Sequence, residues 1–307
     1  MKKKILITAT ITLDLDGVAS AIAYAEYLNK VKKDAIYEVA FEGHKQIEVG
    51  FVFDKIIKLE FPRIKSGDIY DSFILVDSSA KRELPNIVEP DKVIEFIDHR
   101  PDPKYEDFPN AKAQIELIGA NATLIAEKFY FGNVKLNKKT AILLYISIIS
   151  HTINLKSNFT CFRDIRIVKW LESKFKECKR NLVIKVFNFK KEYILKDLKY
   201  ALESDLKEMS IKNEDVAMYQ LEAYGIEKLF PDRIYEIIKI ILLHKNVSWG
   251  CCIIVDTKKG KTYSVLTDNS KADIIAKILG FKNKGEYLYT NDLFLRKEIA
   301  TKLNHYK

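Results

Sequence analysis

The first half of the chain alternates short apolar runs with longer alanine-rich or amphipathic stretches. Ile5–Ala9, Ile36–Phe41, Ile56–Leu59, Ser72–Val76 and Val93–Ile97 are β-rich runs, each ended by polar or turn residues. Between and after them, Val18–Leu28, Ala122–Tyr130 and Thr140–Ile149 suit helices. Strand alternating with helix predicts an α/β fold, with a mainly parallel sheet flanked by helices. Ligands of such sheets bind beyond the carboxyl ends of the strands. From Asp164 to Ser210 the chain is highly charged, lacks Gly and Pro, and reads as helical throughout. A second, smaller α/β pattern follows: strand Val216–Leu221, a helix from Asp232 to Lys245, strands Trp249–Asp256 and Thr262–Leu266, and a helix from Ser270 to Leu279. The predicted organisation is two domains, 1–190 and 191–307.

Composition agrees with two folded domains. The 307 residues are 48% hydrophobic and 30% charged, which excludes disorder. Lys and Arg exceed Asp and Glu by 51 to 42, a formal charge of +9 that favours anionic partners. Four cysteines (Cys161, Cys178, Cys251, Cys252) form no CxxC pair, so reduced thiols and a cytoplasmic location are expected. The lysines at 2–4 and the apolar run after them imitate a signal peptide. That run passes into Leu13–Asp16 without a small-residue cleavage site and reads better as a buried first strand. No run of 18 uncharged apolar residues is present, so no membrane partner is expected.

Three acidic signals stand where predicted strands end. Asp14 and Asp16 lie between the first strand and its helix, Asp77 directly follows Ser72–Val76, and Asp98, His99 and Arg100 follow Val93–Ile97. Carboxylates at strand ends reach the sheet rim, where several can converge. Oxygen ligands with an imidazole suit Mg²⁺ or Mn²⁺, one ion or two. Such a cluster could activate water for attack on phosphorus. The competing reading is that each Asp caps the helix after it.

The ordered set of D-x-D, then V-D, then D-H-R-P resembles the DHH phosphoesterase superfamily. The D-L-D and D-H-R-P variants look most like its exopolyphosphatase and prune branch. The second half is similar to the DHHA2-like domain of family II, manganese-dependent inorganic pyrophosphatases, through Asp205–Met209 and Leu295–Lys297. Gly119–Thr123 is similar to the small-residue turn that precedes a helix in that family. The resemblance implies an active site in the cleft between two domains. There Asp77 would bridge two metals, Asp14 and Asp16 would bind one each, and His99 would ligate one of them with Asp98 in close support. It also implies that Lys207, Arg296 and Lys297 hold substrate phosphates.

Three positions depart from the pyrophosphatase pattern. Thr10 stands where those enzymes have a metal-binding His. His151 stands where they have an Asp, which removes one negative charge and favours a nitrogen-loving ion such as Mn²⁺ or Zn²⁺. Arg100 replaces the second His; it cannot act as an acid but is expected to bind phosphate. Asp77, Asp98 and Arg100 are therefore the expected catalytic group, with Arg100, Lys207, Arg296 and Lys297 on the substrate and Asp14, Asp16, Asp77, His99 and His151 on metal.

The expected activity is metal-dependent hydrolysis of phosphoanhydrides, with short polyphosphate favoured over pyrophosphate. Two alternatives are a regulatory phosphate- or nucleotide-binding protein with a degenerate metal site, and a phosphotransferase acting on a small alcohol. The expected partner is a small phosphate anion, with a homodimer as the assembly entertained. Nucleic acid is disfavoured, because no aromatic-basic motif and no C-terminal GGGH-type motif of the DHH nucleases occurs. The Gly260-Lys261-Thr262 triplet imitates a P-loop, but Val255 stands where the first glycine belongs, so it reads as a hairpin turn.

Overall fold

The computed structural model describes residues 2–101, 103–176, 179–226, 230–243 and 247–306. The chain divides into two compact units, one of 1–155 with 159–183, the other of 156–158 with 184–307. The first unit contains strands β1 (Lys3–Thr8) and β2 (Thr12–Leu13), helix α1 (Leu15–Val31), strands β3 (Ala35–Val39) and β4 (His44–Lys45), and the short helix α2 (Ile47–Phe51). Strands β5 (Ser72–Val76), β6 (Val93–Asp98) and β7 (Lys112–Ile115) follow, then helices α3 (Asn121–Phe131), α4 (Lys138–His151) and α5 (Phe162–Glu172). Five strands form one sheet in the order β3-β1-β5-β6-β7, and every pairing is parallel.

The first strand begins with exposed lysines and then buries four residues in succession, as a parallel strand covered on both faces requires. Helix α1 covers it with Val18, Ala19, Ala21, Ala23 and Ala25, whose small side chains allow close approach to α3 and α4. A second cluster joins Leu6, Phe73, Leu75 and Phe96 to Tyr70, Val88 and Phe108. Those last three residues lie between regular elements, so irregular chain completes this part of the core.

Two expectations for this unit are corrected. Ile56–Leu59 is not a strand: Val52–Ile57 forms a helical turn ended by Lys58 at φ 51°. Phe53 is buried there against Phe61, with ring centres 5.0 Å apart, so aromatic packing outweighs the β-rich composition. Strand β7 was not expected, because its half-exposed edge position leaves no continuous apolar run.

The second unit takes up α6 (Lys179–Lys196) from residue 184 onward, and then α7 (Leu198–Glu203), β8 (Lys207–Ile211), β9 (Glu214–Ala223), α8 (Phe230–Leu242), β10 (Trp249–Asp256), β11 (Lys261–Leu266), α9 (Ala272–Leu279), β12 (Lys282–Asn283), β13 (Leu288–Thr290) and α10 (Arg296–His305). Its sheet runs β12-β13-β11-β10-β9-β8, with β9 and β10 parallel and the other neighbours antiparallel. The whole of β10 is buried. The β10–β11 hairpin closes at Gly260, whose φ of +69° suits glycine.

The helical reading of Asp164 to Ser210 is corrected at its end: α5 stops at Glu172, α6 and α7 follow, and Lys207 opens a strand. Antiparallel pairing with β9 decides this, since the exposed edge positions of β8 carry no local strand signal. The boundary drawn at 190 falls inside α6. Cys178 lies outside the described residues, as do His244 and Lys245 at the end of the helix expected after Asp232. Among the described residues, no helix is long and apolar enough to cross a membrane.

Candidate metal centre

The carboxyl ends of β1, β5 and β6 carry the first unit's polar cluster. Asp14 is the N-cap of α1 and accepts the Gly17 N–H at 2.9 Å. Asp16, in the first turn of α1, is 1% exposed. It accepts the backbone N–H groups of Asn121 and Ala122 at 2.7 and 2.8 Å and the Ser147 hydroxyl at 3.0 Å. A carboxylate at the first N–H groups of α3 fills the role of a helix cap supplied from outside.

Asp77 follows β5 in the left-handed conformation, φ 53°, which an aspartate tolerates better than most residues. Its N–H donates to the Ile97 carbonyl at 2.8 Å. Its carboxylate accepts no hydrogen bond among the described residues. Burial, then the charges of Asp14 and Asp16, push its pKa well above the usual carboxylate range. Asp98 is fully buried, but its oxygens are already occupied. They accept the Ser79 hydroxyl at 2.5 Å, the His99 N–H at 2.7 Å and Arg100 Nε at 2.9 Å.

His99 Nδ1 lies 2.9 Å from the Ile118 carbonyl, which can only accept, so Nδ1 carries the proton. The lone pair is then on Nε2, which lies 3.5 Å from Asp77 Oδ1 and 3.9 Å from Asp16 Oδ2. Burial, and secondarily His151, lower the His99 pKa and favour the neutral ring. His151 ends α4 with Nδ1 3.9 Å from Asp16 Oδ2, and its ring centre lies 5.0 Å from that of His99.

These side chains suit a divalent cation. Asp16, His99 and His151 form one group, and Asp77, Asp98 and His99 a second; in each, one ligand atom per residue lies within 4.8 Å of the others. A lone-pair nitrogen facing two carboxylates is repulsive unless a proton or a metal cation lies among them. A Cβ at Gly17 would meet the Ala9 Cβ at 2.8 Å and come into ordinary contact, at 3.5 Å, with both Asp14 Oδ1 and Asp77 Oδ2. Carboxylate oxygens with imidazole nitrogens match Mn²⁺ well and Mg²⁺ less well. Thr10 donates its hydroxyl to the Thr12 carbonyl at 3.0 Å.

The expected substrate cations sit less freely. Arg100 donates to Asp98, to Glu83 Oε2 at 2.8 Å and to the Asp77 carbonyl at 2.8 Å. In the second unit, Lys207 is exposed at the start of β8 and Lys297 is half-buried in the first turn of α10. Arg296 is 9% exposed and binds the Asp205 carboxylate at 2.9 Å and the Asp205 carbonyl. Sequence reasoning did not single out Ser79, Glu83, Ile118 or Ser147. Each acts through a contact at least 17 residues away along the chain, so no local pattern marks it.

A parallel sheet whose strand ends gather aspartates and histidines around a small volume is an α/β domain that could hold metal ions. Residues 4–148 match the DHH family, N-terminal domain. Over 276 residues, 89% of this chain and 88% of the relative, the sequence is 25% identical to the manganese-dependent inorganic pyrophosphatase of Bacillus subtilis (strain 168). A crystal structure from Methanococcus jannaschii, described as a candidate family II inorganic pyrophosphatase, shares the fold with a TM-score of 0.71 and 22% identity, covering 99% of this chain and 100% of that one. An exopolyphosphatase-related protein from Bacteroides fragilis matches with a TM-score of 0.50 and 18% identity, covering 98% and 90%.

Proposed function

We propose that the chain is a manganese-dependent phosphohydrolase that cleaves inorganic phosphoanhydrides, with pyrophosphate first among its substrates and short polyphosphate second. One observation carries the reading: His99, fixed as the Nδ1–H tautomer by Ile118, turns its lone pair towards two carboxylates. The names of the sequence relatives support pyrophosphate over the polyphosphate that D-H-R-P favoured.

Asp14, Asp16, Asp77, His99 and His151 are the residues that would hold one or two divalent ions. Bound there, an ion would polarise a phosphoryl oxygen and lower the pKa of a water nucleophile. The chain's own part is to orient and to hold charge. The Ile118 carbonyl sets the His99 tautomer, and the α3 N–H groups with Ser147 fix Asp16. Ser79 and Arg100 fix Asp98. Lys207 and Lys297 supply cationic groups for phosphate; Arg296, bound to Asp205, is proposed beside them.

The test is phosphate release from pyrophosphate, tripolyphosphate and several organic phosphates, with Mn²⁺ or Mg²⁺, for wild type and Asp77→Ala. Release that needs metal and disappears in the variant is the expected result. A folded wild type that releases nothing from any of them overturns the reading.

A further inference from the structure

Glu83 is assigned no role by family resemblance, yet its position connects three rim loops. It ends a short helical turn, Lys81–Glu83, in the chain that follows β5. Its backbone carbonyl accepts the N–H of Ile11, in the loop after β1, at 2.9 Å. Its carboxylate accepts Arg100 NH1, in the loop after β6, at 2.8 Å. Arg100 spreads its other bonds over Asp98, through Nε at 2.9 and 3.2 Å, and the carbonyl of Asp77, through NH2 at 2.8 Å. A planar guanidinium holding three acceptors at once is a strut with fixed geometry, which a lysine could not reproduce.

We infer that Glu83 is a positioning residue that locks Arg100 inward, so that Arg100 fixes Asp77 and Asp98 for metal instead of gripping substrate phosphate. This inference rests on the metal-dependent reading above. In the resemblance, the arginine stood where an imidazole would face substrate. Here Glu83 provides the anion that turns the new cation away, and the cation in turn offsets charge crowded among the rim aspartates. Bonds of this kind, one layer behind the ligands, set metal affinity by about 10- to 100-fold.

The experiment is a Mn²⁺ titration of the full chain, followed by electron paramagnetic resonance, for wild type, Glu83→Gln, Arg100→Lys and the double variant. Pyrophosphate KM is measured in parallel at saturating Mn²⁺. Each single variant should weaken Mn²⁺ binding by about 10-fold or more, and the double should be no weaker than the poorer single, because both break one strut. The pyrophosphate KM of Arg100→Lys should stay within about threefold of wild type, a split that a phosphate ligand would not give.

The inference is overturned if Glu83→Gln binds Mn²⁺ as wild type does. It is equally overturned if Arg100→Lys raises KM at least about 10-fold with Mn²⁺ affinity intact. Arg100→Lys keeps the charge and guards against a variant that merely misfolds, and melting without metal checks both. Wild type that binds Mn²⁺ but releases no phosphate would sink the hydrolase reading alone, since the titration reads the strut without substrate.

Discussion

Replacing Asp77 with Asn should make the metal-free protein more stable. Asp77 Oδ1 and Asp16 Oδ2 both lie within 4 Å of His99 Nε2, at 3.5 and 3.9 Å. They are therefore no more than about 7.5 Å apart, and two unit charges at that distance repel by about 2 kcal/mol at an effective dielectric constant of about 20. The shared 3.5 Å approach to the Gly17 Cβ position constrains Asp14 and Asp77 in the same way, adding about 2 kcal/mol more. Arg100, bonded to the Asp77 carbonyl, offsets roughly half of the total. Asparagine removes the charge and tolerates the left-handed conformation at φ 53° at least as well.

The net gain is about 2 kcal/mol, or about 4–8 °C in the melting temperature of the first unit. Its pH dependence has a definite sign. The Asp77 pKa is raised on folding, chiefly by burial, so wild type loses stability as pH rises through the folded value. The advantage of the variant should thus be full above the folded value, shrink as pH falls through it, and be gone below about pH 4, where Asp77 is protonated in both states. Scanning calorimetry with a chelator reads the difference. With Mn²⁺ at about 100 times its Kd, wild type should gain about 2.7 kcal/mol that the variant lacks, inverting the order. A variant that melts below wild type in chelator at neutral pH would refute the argument that Asp77 is held in an unfavourable state for metal.

Gly17→Ala places its Cβ 2.8 Å from the Ala9 Cβ and between Asp14 and Asp77. Overpacking and helix propensity should leave stability within about 2 kcal/mol of wild type, while Mn²⁺ affinity falls at least about 10-fold in a titration; unchanged affinity would mean the space is not used. His151→Asp exchanges a nitrogen for an oxygen and should shift competition binding from Mn²⁺ towards Mg²⁺. An unchanged ratio would remove His151 from the ligand set. Burial pushes the Cys251 thiol up to about 11 and also raises Cys252 well above the usual thiol range. At pH 8 only roughly 0.1% of Cys251 is thiolate, so alkylation followed by peptide mass spectrometry should leave both unlabelled until the protein is denatured, and native labelling would contradict the buried β10.

The first unit was legible where apolar runs end in chemically distinctive residues. Ser72–Val76 followed by Asp77, and Val93–Ile97 followed by Asp98, combine a buried strand with a polar terminus, and both signals are local. Edge elements were not legible, because β7 and β8 owe their conformation to a neighbour's hydrogen bonds more than to their own composition. The arginines failed for another reason. Their residue type announces anion binding, but whether the anion is a substrate or a protein carboxylate depends on Glu83 and Asp205, which only the folded chain brings near.

The contrast between Asp16 and Asp77 extends that argument to function. Both are aspartates on the same rim and both were expected on metal, Asp77 bridging two ions and Asp16 holding one. Asp16 is tied by three hydrogen bonds to α3 and α4, so it fastens helices as well as facing the cluster. Among the described residues Asp77 has no such partner, and it keeps a raised pKa beside other acids. Local rules that hold elsewhere in a fold are broken where a ligand must supply what the chain withholds. Under the proposed metal-dependent reading, Asp77 is a place where stability is given up for metal. A substitution there should therefore separate the two quantities, raising stability without metal while reducing what metal adds, whereas a substitution at Asp16 should lower both.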